Sequence, residues 1–214
     1  GTISGRIAVT GTAAAPEATY DLNWKNAAVS QSRDAGVAAL DIAASGKYSG
    51  GSAEVSVKGT GADGLGFTAN GRVGVNAPQA LAIKVDGTAP FSLLAARLAA
   101  QGMALNGAAR LNLSIGGTAS APDITGTITT SGAQFIDASA GIAVTDLAGE
   151  IAMSGQVATI RSLTGKLSSG GTVSGSGTIG VSPGGDFPAD LAIRVANGRY
   201  TDGTTVTANL DADL

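Results

Sequence analysis

The sequence contains neither cysteine nor histidine among its 214 residues. Without cysteine the chain cannot form disulfides or thiolate metal sites. Without histidine it lacks the base of a Ser-His-Asp triad, the most frequent general acid–base and the commonest metal ligand. We therefore expect that the protein is not an enzyme and that it carries no catalytic residue, metal or cofactor.

Charge and aromatic side chains are also scarce. Charged residues make up 14% of the chain, aromatic residues 4%, and the net charge is −3. Lysine and arginine are scattered singly, so the concentrated positive surface that nucleic acid requires is missing, and we expect no nucleic-acid partner. No run of about 18 apolar residues occurs, so we expect no transmembrane helix in this sequence.

What the chain does have is apolar alternation with many glycines. Apolar residues make up 43%, and 33 residues are glycine. Segments of period two, rich in Ala, Val, Ile and Leu and bounded by Gly, Asn, Pro or Ser, predict roughly fourteen to sixteen strands. Because small side chains would fill a thick core poorly, we predict an all-β fold. Its form would be an elongated, curved antiparallel sheet (a β-taco or U-shaped trough) with a hydrophobic interior and one short helix.

Some boundaries follow from turn residues. Gly116–Phe135 predicts a turn through Pro122, a strand with Ile124 and Ile128 on one face, and a second turn after Thr130. A further turn is predicted at Gly46–Gly51, where glycine and serine cluster. Breaks in the alternation predict separate strands at Gly141–Leu147 and Glu150–Ser154, and again at Val157–Ile160 and Leu163–Leu167.

One segment has the helical period. Pro90–Gln101 places Phe91, Leu94, Ala95 and Leu98 on one stripe, which we expect to lie on the sheet. Proline suits the first position of a helix, and Gly102 suits the position after its end.

Short matches in the same order predict an internal repeat. Two pairs of segments are 106 residues apart (117 − 11 and 177 − 71), and a third pair is 110 apart (191 − 81), which implies a four-residue insertion in Ser182–Pro188. We predict a first β repeat over 1–105, ending in the helix at 90–101, and a continuous second repeat over 106–214. The pairs are Gly11–Glu17 with Gly117–Asp123, Gly71–Asn76 with Gly177–Ser182, and Leu81–Val85 with Leu191–Val195.

Catalytic and nucleotide-binding motifs are matched only by chance. Gly180–Gly184 fits G-x-S-x-G, but proline follows the serine and no histidine exists. Gly59–Gly64 and Gly175–Gly180 fit G-x-G-x-x-G, yet neither opens a predicted helix. Asp211 and Asp213 share a strand face and could bind a cation weakly, although a solvated edge is the favoured interpretation.

The one-sided apolar pattern has three interpretations. The apolar faces cover each other in a sandwich or β-helix, or a trough stays open to acyl chains, or the strands form an outer-membrane barrel, which the scattered aromatic residues disfavour because they form no girdles. A long open trough would exceed the apolar patch that a soluble monomer usually exposes. The predicted lining of the lipid groove is Ile7, Val9, Leu22, Val55, Val57, Phe67, Val73, Leu81, Ile83, Leu111, Leu113, Ile115, Ile124, Ile128, Ile179, Leu191 and Ile193.

Several segments resemble the TamB family of Gram-negative bacteria, which is related to the AsmA-like proteins. They are G-T-x-x-x-P-x-x-x-G-x-I from Gly117 to Ile128, Asp146–Ile151 with Ser154-Gly155, and Gly170-Gly171 with Leu191–Ile193. The likeness covers essentially the whole chain and is one of pattern, without a catalytic motif.

The resemblance implies a periplasmic segment of a protein anchored in the inner membrane, and we expect the sequence to be a piece of such a longer chain. It implies a β-taco whose hydrophobic groove conducts phospholipid acyl chains between the two membranes as a lipid-transfer bridge. It also implies a role in outer-membrane protein assembly and secretion, with the Omp85-type outer-membrane barrel TamA as partner. The predicted helix departs from this picture, since it would cap the groove.

Two alternatives remain open. An exposed sheet edge, Thr2–Thr10 or Thr205–Leu214, could bind strands of outer-membrane barrels or autotransporters by β-augmentation, or could pair with a second copy. A structural β-helix from an adhesin passenger would instead have a closed, dry interior.

Overall fold

The computed structural model describes residues 1–28, 39–181, 188–201 and 207–213. In these residues the chain is all-β, with fourteen strands, one short α-helix and two 3-10 turns. Thirteen strands hydrogen-bond in chain order into an antiparallel sheet that is not closed into a barrel, while β7 pairs with β9 outside that order. The predicted all-β antiparallel sheet with one short helix is confirmed, and its curvature into a trough stays a prediction.

The strands are long for their class, since typical strands have about five or six residues. The single α-helix α1, Ala95–Ala99, follows the 3-10 turn Phe91–Leu94, and the other 3-10 turn is Ala62–Gly64. The strands are β1 Thr2–Thr12, β2 Ala15–Ala27, β3 Leu40–Ser49, β4 Ser52–Thr60, β5 Gly66–Gly74, β6 Leu81–Pro90, β7 Met103–Asn106, β8 Ala108–Thr118, β9 Ala121–Asp137, β10 Ile142–Ser154, β11 Val157–Leu167, β12 Thr172–Gly180, β13 Ala189–Thr201 and β14 Thr207–Asp213.

The chain forms two compact units. Unit 1 consists of Gly1–Ala89 and Leu111–Gly126, and unit 2 of Pro90–Arg110 and Thr127–Leu214. This division differs from the sequence repeat, because the greater part of β8 and the start of β9 lie in unit 1. The division into repeats at 105/106 therefore stays a prediction about the origin of the chain.

Strand bounds nevertheless keep the repeat spacing. β8 begins 106 residues after β1 (108 − 2), and β12 begins 106 residues after β5 (172 − 66). The hairpin turns are also alike: the Ala15 amide donates to Thr12 Oγ1 at 3.2 Å, and the Ala121 amide donates to Thr118 Oγ1 at 3.2 Å. The same local turn chemistry thus recurs at the spacing of the sequence matches.

The turn predicted at Gly46–Gly51 is present but begins later than predicted, and the turn predicted after Thr130 is wrong. β3 continues through Gly46 to Ser49, and the chain turns at Gly50 and Gly51, whose φ angles are 57° and 77°. β9 continues past Gly132 to Asp137. Glycine in a sequence indicates a turn, whereas Gly46 and Gly132 lie inside strands.

Two predicted strand breaks are also wrong, because β10 and β11 are each continuous. Their register shifts between Thr145 and Ala148 and again opposite Arg161, as a β-bulge does. Since a bulge inserts one residue, it interrupts strict alternation in the sequence while the apolar side chains stay on one face.

The predicted helix is shorter than expected and differently wound. Pro90 ends β6, and only Ala95–Ala99 is α-helical, although Gly102 has the expected left-handed φ of 75°. Leu94 is 42% exposed, so the predicted stripe does not lie wholly on the sheet. Phe91 and Leu98 of the predicted stripe are half-buried, whereas Leu94 and Ala95 are exposed.

Candidate apolar binding face

Cross-strand register places the apolar side chains of β1–β6 on one side of unit 1. Residues paired across neighbouring strands share a face, so each chain of partners forms a row. Four such rows, here called the apolar face, are Ile3–Trp24–Ile42–Gly59–Phe67–Gly87, Gly5–Leu22–Ala44–Val57–Ala69–Val85, Ile7–Tyr20–Gly46–Val55–Gly71–Ile83 and Val9–Ala18–Tyr48–Ala53–Val73–Leu81. They contain nine of the predicted lining residues: Ile7, Val9, Leu22, Val55, Val57, Phe67, Val73, Leu81 and Ile83.

Part of β8 presents the same division of faces. Asn112 Nδ2 donates to Asp86 Oδ1 at 2.7 Å, which places Asn112 on the polar side with Asp86. Leu111, Leu113 and Ile115 alternate with Asn112 and therefore point the other way. A Cβ on Gly126 would lie 2.9 Å from Leu113 Cα, so Gly126 stands opposite Leu113, and Ile124, two residues before it, shares that side.

Unit 2 groups the remaining predicted residues around bulged strands. Ile179 pairs with Ala158, Leu191 pairs with Gly177, and Ile193 pairs with Gly175. Ile160 and Leu163 stand across from the same two glycines. Sequence reasoning omitted both residues because the bulge separates them by three positions. Ile128 contributes to a cavity with them, described below.

None of the seventeen predicted residues is fully buried. On β1, Ile3, Ile7 and Val9 are 64%, 63% and 70% exposed. The apolar face is six strands wide, at about 4.8 Å per strand, and extends about 20 Å along each strand. Its area is therefore roughly 500 Å². That is near the upper end for the largest apolar patch of a monomer, a size that is often functional.

Two of the four aromatic rings on this face, those of Phe67 and Tyr20, lie over glycines. A Cβ on Gly59 would collide with the ring of Phe67, and one on Gly46 would lie 2.5 Å from Tyr20 Oη. The Tyr20 hydroxyl donates to the Glu54 carbonyl at 3.1 Å, and burial raises the pKa of Tyr20. Because Gly46 and Gly59 have no side chains, the two rings can lie flat against the sheet and project little from the apolar face.

The opposite side of unit 1 carries charge pairs. Lys25 Nζ lies 2.7 Å from Asp41 Oδ2, and Arg72 Nη2 lies 2.9 Å from Glu54 Oε1. The hydrogen bond from Lys25, followed by that from the Asn26 amide, lowers the pKa of Asp41. These side chains are 42–70% exposed, so each pair contributes little stability. They mark the side of the sheet that faces water.

Unit 2 differs because one inserted side chain reaches its apolar side. Phe91 lines a cavity of about 100 Å³ together with residues of β9, β10 and β11. Four of the five fully buried apolar residues among those described lie in unit 2, namely Ala109, Ala133, Val144 and Ala158, whereas Ala27 lies in unit 1.

Other candidate sites gain no support. Among the described residues, no group of acidic, histidine or cysteine side chains is arranged to hold a metal ion. The side chains of Asp211 and Asp213 lie outside the described part of the structure. Among the described residues, no helix has the length and apolar character needed to cross a membrane.

Comparison with family models, curated proteins and solved structures found no match. The TamB resemblance therefore stays a prediction, carried by the sequence pattern alone.

Proposed function

We propose that this chain is a periplasmic segment of a TamB-like protein, anchored in the inner membrane of a Gram-negative bacterium, and that its apolar face carries phospholipid acyl chains. The supporting observation is the register of unit 1, which gathers apolar side chains from six consecutive strands onto one exposed face. Hydrocarbon is the ligand that such a surface favours.

The mechanism is non-covalent. Burial of apolar area stabilises a bound chain by about 25 cal/mol per Å², without regard to direction along the face. Flat rings over Gly46 and Gly59 leave few projections, and charged side chains of β1–β6 lie on the other side of the sheet. An acyl chain would therefore be held and would still slide, because no specific polar contact fixes it.

A matched pair of variants tests this proposal. Val57 lies on the apolar face, and its neighbour Ser56 lies on the polar side, where its hydroxyl donates to Asn70 Oδ1 at 2.7 Å. We expect Val57→Asp to lower co-purified phospholipid at least ten-fold in native mass spectrometry of detergent-free protein, and Ser56→Asp to leave it unchanged. Equal lipid content in both variants, or none in the wild type, would contradict the proposal.

A second candidate function rests on the exposed edge strand β1. β1 stands at one end of the strand order, and all eleven of its residues are exposed. An apolar edge of this length is a template for β-augmentation by strands of an outer-membrane barrel, by the barrel TamA or by a second copy. The β-helix passenger is not carried forward, because neighbouring strands in the described sheet pair antiparallel.

Lysine on the edge separates the two functions. Ser4 and Ala8 point to the polar side, opposite Asn23 and Thr19. The double variant Ser4→Lys/Ala8→Lys should weaken binding of a synthetic outer-membrane strand peptide at least ten-fold and leave lipid content unchanged. Unaltered peptide binding would exclude β1 as the docking edge.

A further inference from the structure

The segment between β6 and β8 places Phe91 over the apolar side of unit 2. The Phe91 amide donates to the Gly107 carbonyl at 2.9 Å, which fixes the start of the 3-10 turn. A Cβ on Gly107 would lie 3.7 Å from Phe91 Cδ2, an ordinary van der Waals distance, so the ring packs beside Gly107. The ring lines a partly open cavity of about 100 Å³ together with residues of β8, β9, β10 and β11.

The walls of this cavity are hydrocarbon. Ile151 and Ile160 are cross-strand partners, and Gly149 and Leu163 form the neighbouring pair. All four line the cavity together with Ile128. A Cβ on Gly149 would lie 3.2 Å from Leu163 Cδ1, so the absence of a side chain at Gly149 keeps part of the space open.

The cavity offers nothing that would recognise a charged or strongly polar ligand. Three hydroxyl-bearing residues line it, Thr129, Thr130 and Ser162, and Thr130 donates its hydroxyl to the Ala108 carbonyl at 2.9 Å. No titratable side chain lines the cavity, and no buried side-chain polar atom among the described residues lacks a hydrogen-bond partner. Its ligand is therefore hydrocarbon and not a lipid headgroup.

Size decides which part of a hydrocarbon chain fits. An apolar cavity of about 150 Å³ takes benzene or xenon, so about 100 Å³ has room for roughly four carbons. We propose that this pocket holds the terminal methyl end of one acyl chain, with Phe91 as its roof. The inference rests on the proposed function, since it requires acyl chains to reach the apolar side of unit 2.

Myristate labelled with ¹³C at its terminal methyl tests the pocket in protein with labelled isoleucine methyls. We expect intermolecular NOEs from this methyl to Ile128, Ile151 and Ile160, and at least five-fold weaker ones from myristate labelled at carbon 2. Gly149→Val fills the space and should lower the terminal-methyl NOEs at least five-fold. Leu94→Ala changes an exposed residue of the same segment and should leave them unchanged.

Phe91→Ala supplies a second variant if circular dichroism shows that Gly149→Val does not fold. It removes the roof, so both myristate labels should then give similar NOE intensities. NOEs confined to Ile3 and Ile7 would overturn the pocket and leave the proposed function standing. NOEs to neither set of methyls would overturn both, and a terminal-methyl signal that survives Gly149→Val would overturn the pocket alone.

Discussion

The apolar sides of the two units differ in what covers them. In unit 1, Ile3, Ile7 and Val9 are 63–70% exposed. In unit 2, Ala109 and Ala158 are only 8% and 7% exposed, and Phe91 lies over neighbouring strands. The strand patterns are alike, so the difference comes from the inserted segment and the bulged strands. Unit 1 thus presents apolar rows that are most exposed on β1, and unit 2 adds a small apolar cavity beside Phe91, while Leu191 and Ile193 in unit 2 are still 44% and 38% exposed.

The largest expected effect is on the free energy of unfolding, when an alanine of unit 2 and an alanine of unit 1 are each replaced by leucine. Ala133 in unit 2 is fully buried, and a Cβ on Gly107 would lie 3.1 Å from its Cβ. Ala44 in unit 1 lies on the partly exposed apolar face between Leu22 and Val57. We expect Ala133→Leu to lower the free energy of unfolding by about 1–3 kcal/mol, because added methylenes have no room.

Ala44→Leu is the matched control, and its effect should stay within about 0.5 kcal/mol, as for ordinary surface positions. Urea denaturation followed by circular dichroism measures both. A loss of similar size at Ala44 would mean that the apolar face of unit 1 is covered, and the contrast between the units would not hold.

A smaller effect is expected where a ring lies on a glycine. A Cβ on Gly59 would collide with the ring of Phe67. A Cβ on Gly66 would contact only the carbonyl oxygen of Gly59, at 3.8 Å. We expect Gly59→Ala to destabilise by about 1–2 kcal/mol, since the ring must move. Gly66→Ala should be neutral or stabilise by a few tenths of a kcal/mol, because it restricts the unfolded chain.

Thermal unfolding of these two glycine variants, recorded side by side, measures the difference. Equal melting temperatures would show that Phe67 does not need the space at Gly59, and the flat packing of the apolar face would lose its support.

The smallest expected effect is the pH dependence of the polar side. Hydrogen bonds from Lys25 and from the Asn26 amide hold the pKa of Asp41 below its ordinary value of 3.8. Because the folded-state pKa is lowered, the stabilisation is present above pH 3.8 and is lost as the pH falls through the folded-state value. Asp41→Asn should therefore remove a small part of the acid dependence between pH 5 and pH 3.

That pH effect is measured as the shift of the urea midpoint with pH in wild type and Asp41→Asn. The pair is exposed, so the difference should shrink in high salt. A midpoint that rises on acidification more in the wild type than in the variant would reverse the predicted sign.

The sequence was sufficient for the all-β class, for the strands without bulges or internal glycine misreadings, and for much of the apolar face. Alternation at Val55 and Val57, or at Leu81 and Ile83, predicts the observed face because no bulge intervenes. Turn chemistry at Pro122 also predicted the start of β9. These features depend on neighbours within one strand or one hairpin, which a sequence pattern reports directly.

What the sequence did not predict depends on contacts between strands. The sequence indicates a turn at Gly46, but glycine is there because the Tyr20 side chain of the neighbouring strand occupies the space of a Cβ. The sequence pattern places Ile160 and Leu163 in separate strands. They belong to one strand, and the bulge at Arg161 puts both side chains on the same face. The pocket beside Phe91 was missed because the sequence pattern does not show that Ile128, Ile151 and Leu163 of three different strands lie around one space.

The central claim is that the apolar face of unit 1 contacts acyl chains while its polar side contacts water. It is tested most directly by paramagnetic broadening of methyl signals when vesicles containing a phospholipid spin-labelled in its acyl chain are added. The account predicts strong broadening at Ile3, Ile7 and Val57, and little at Ala43 and Ala82, which lie on the polar side. Equal broadening on both sides, or none on either, would contradict it.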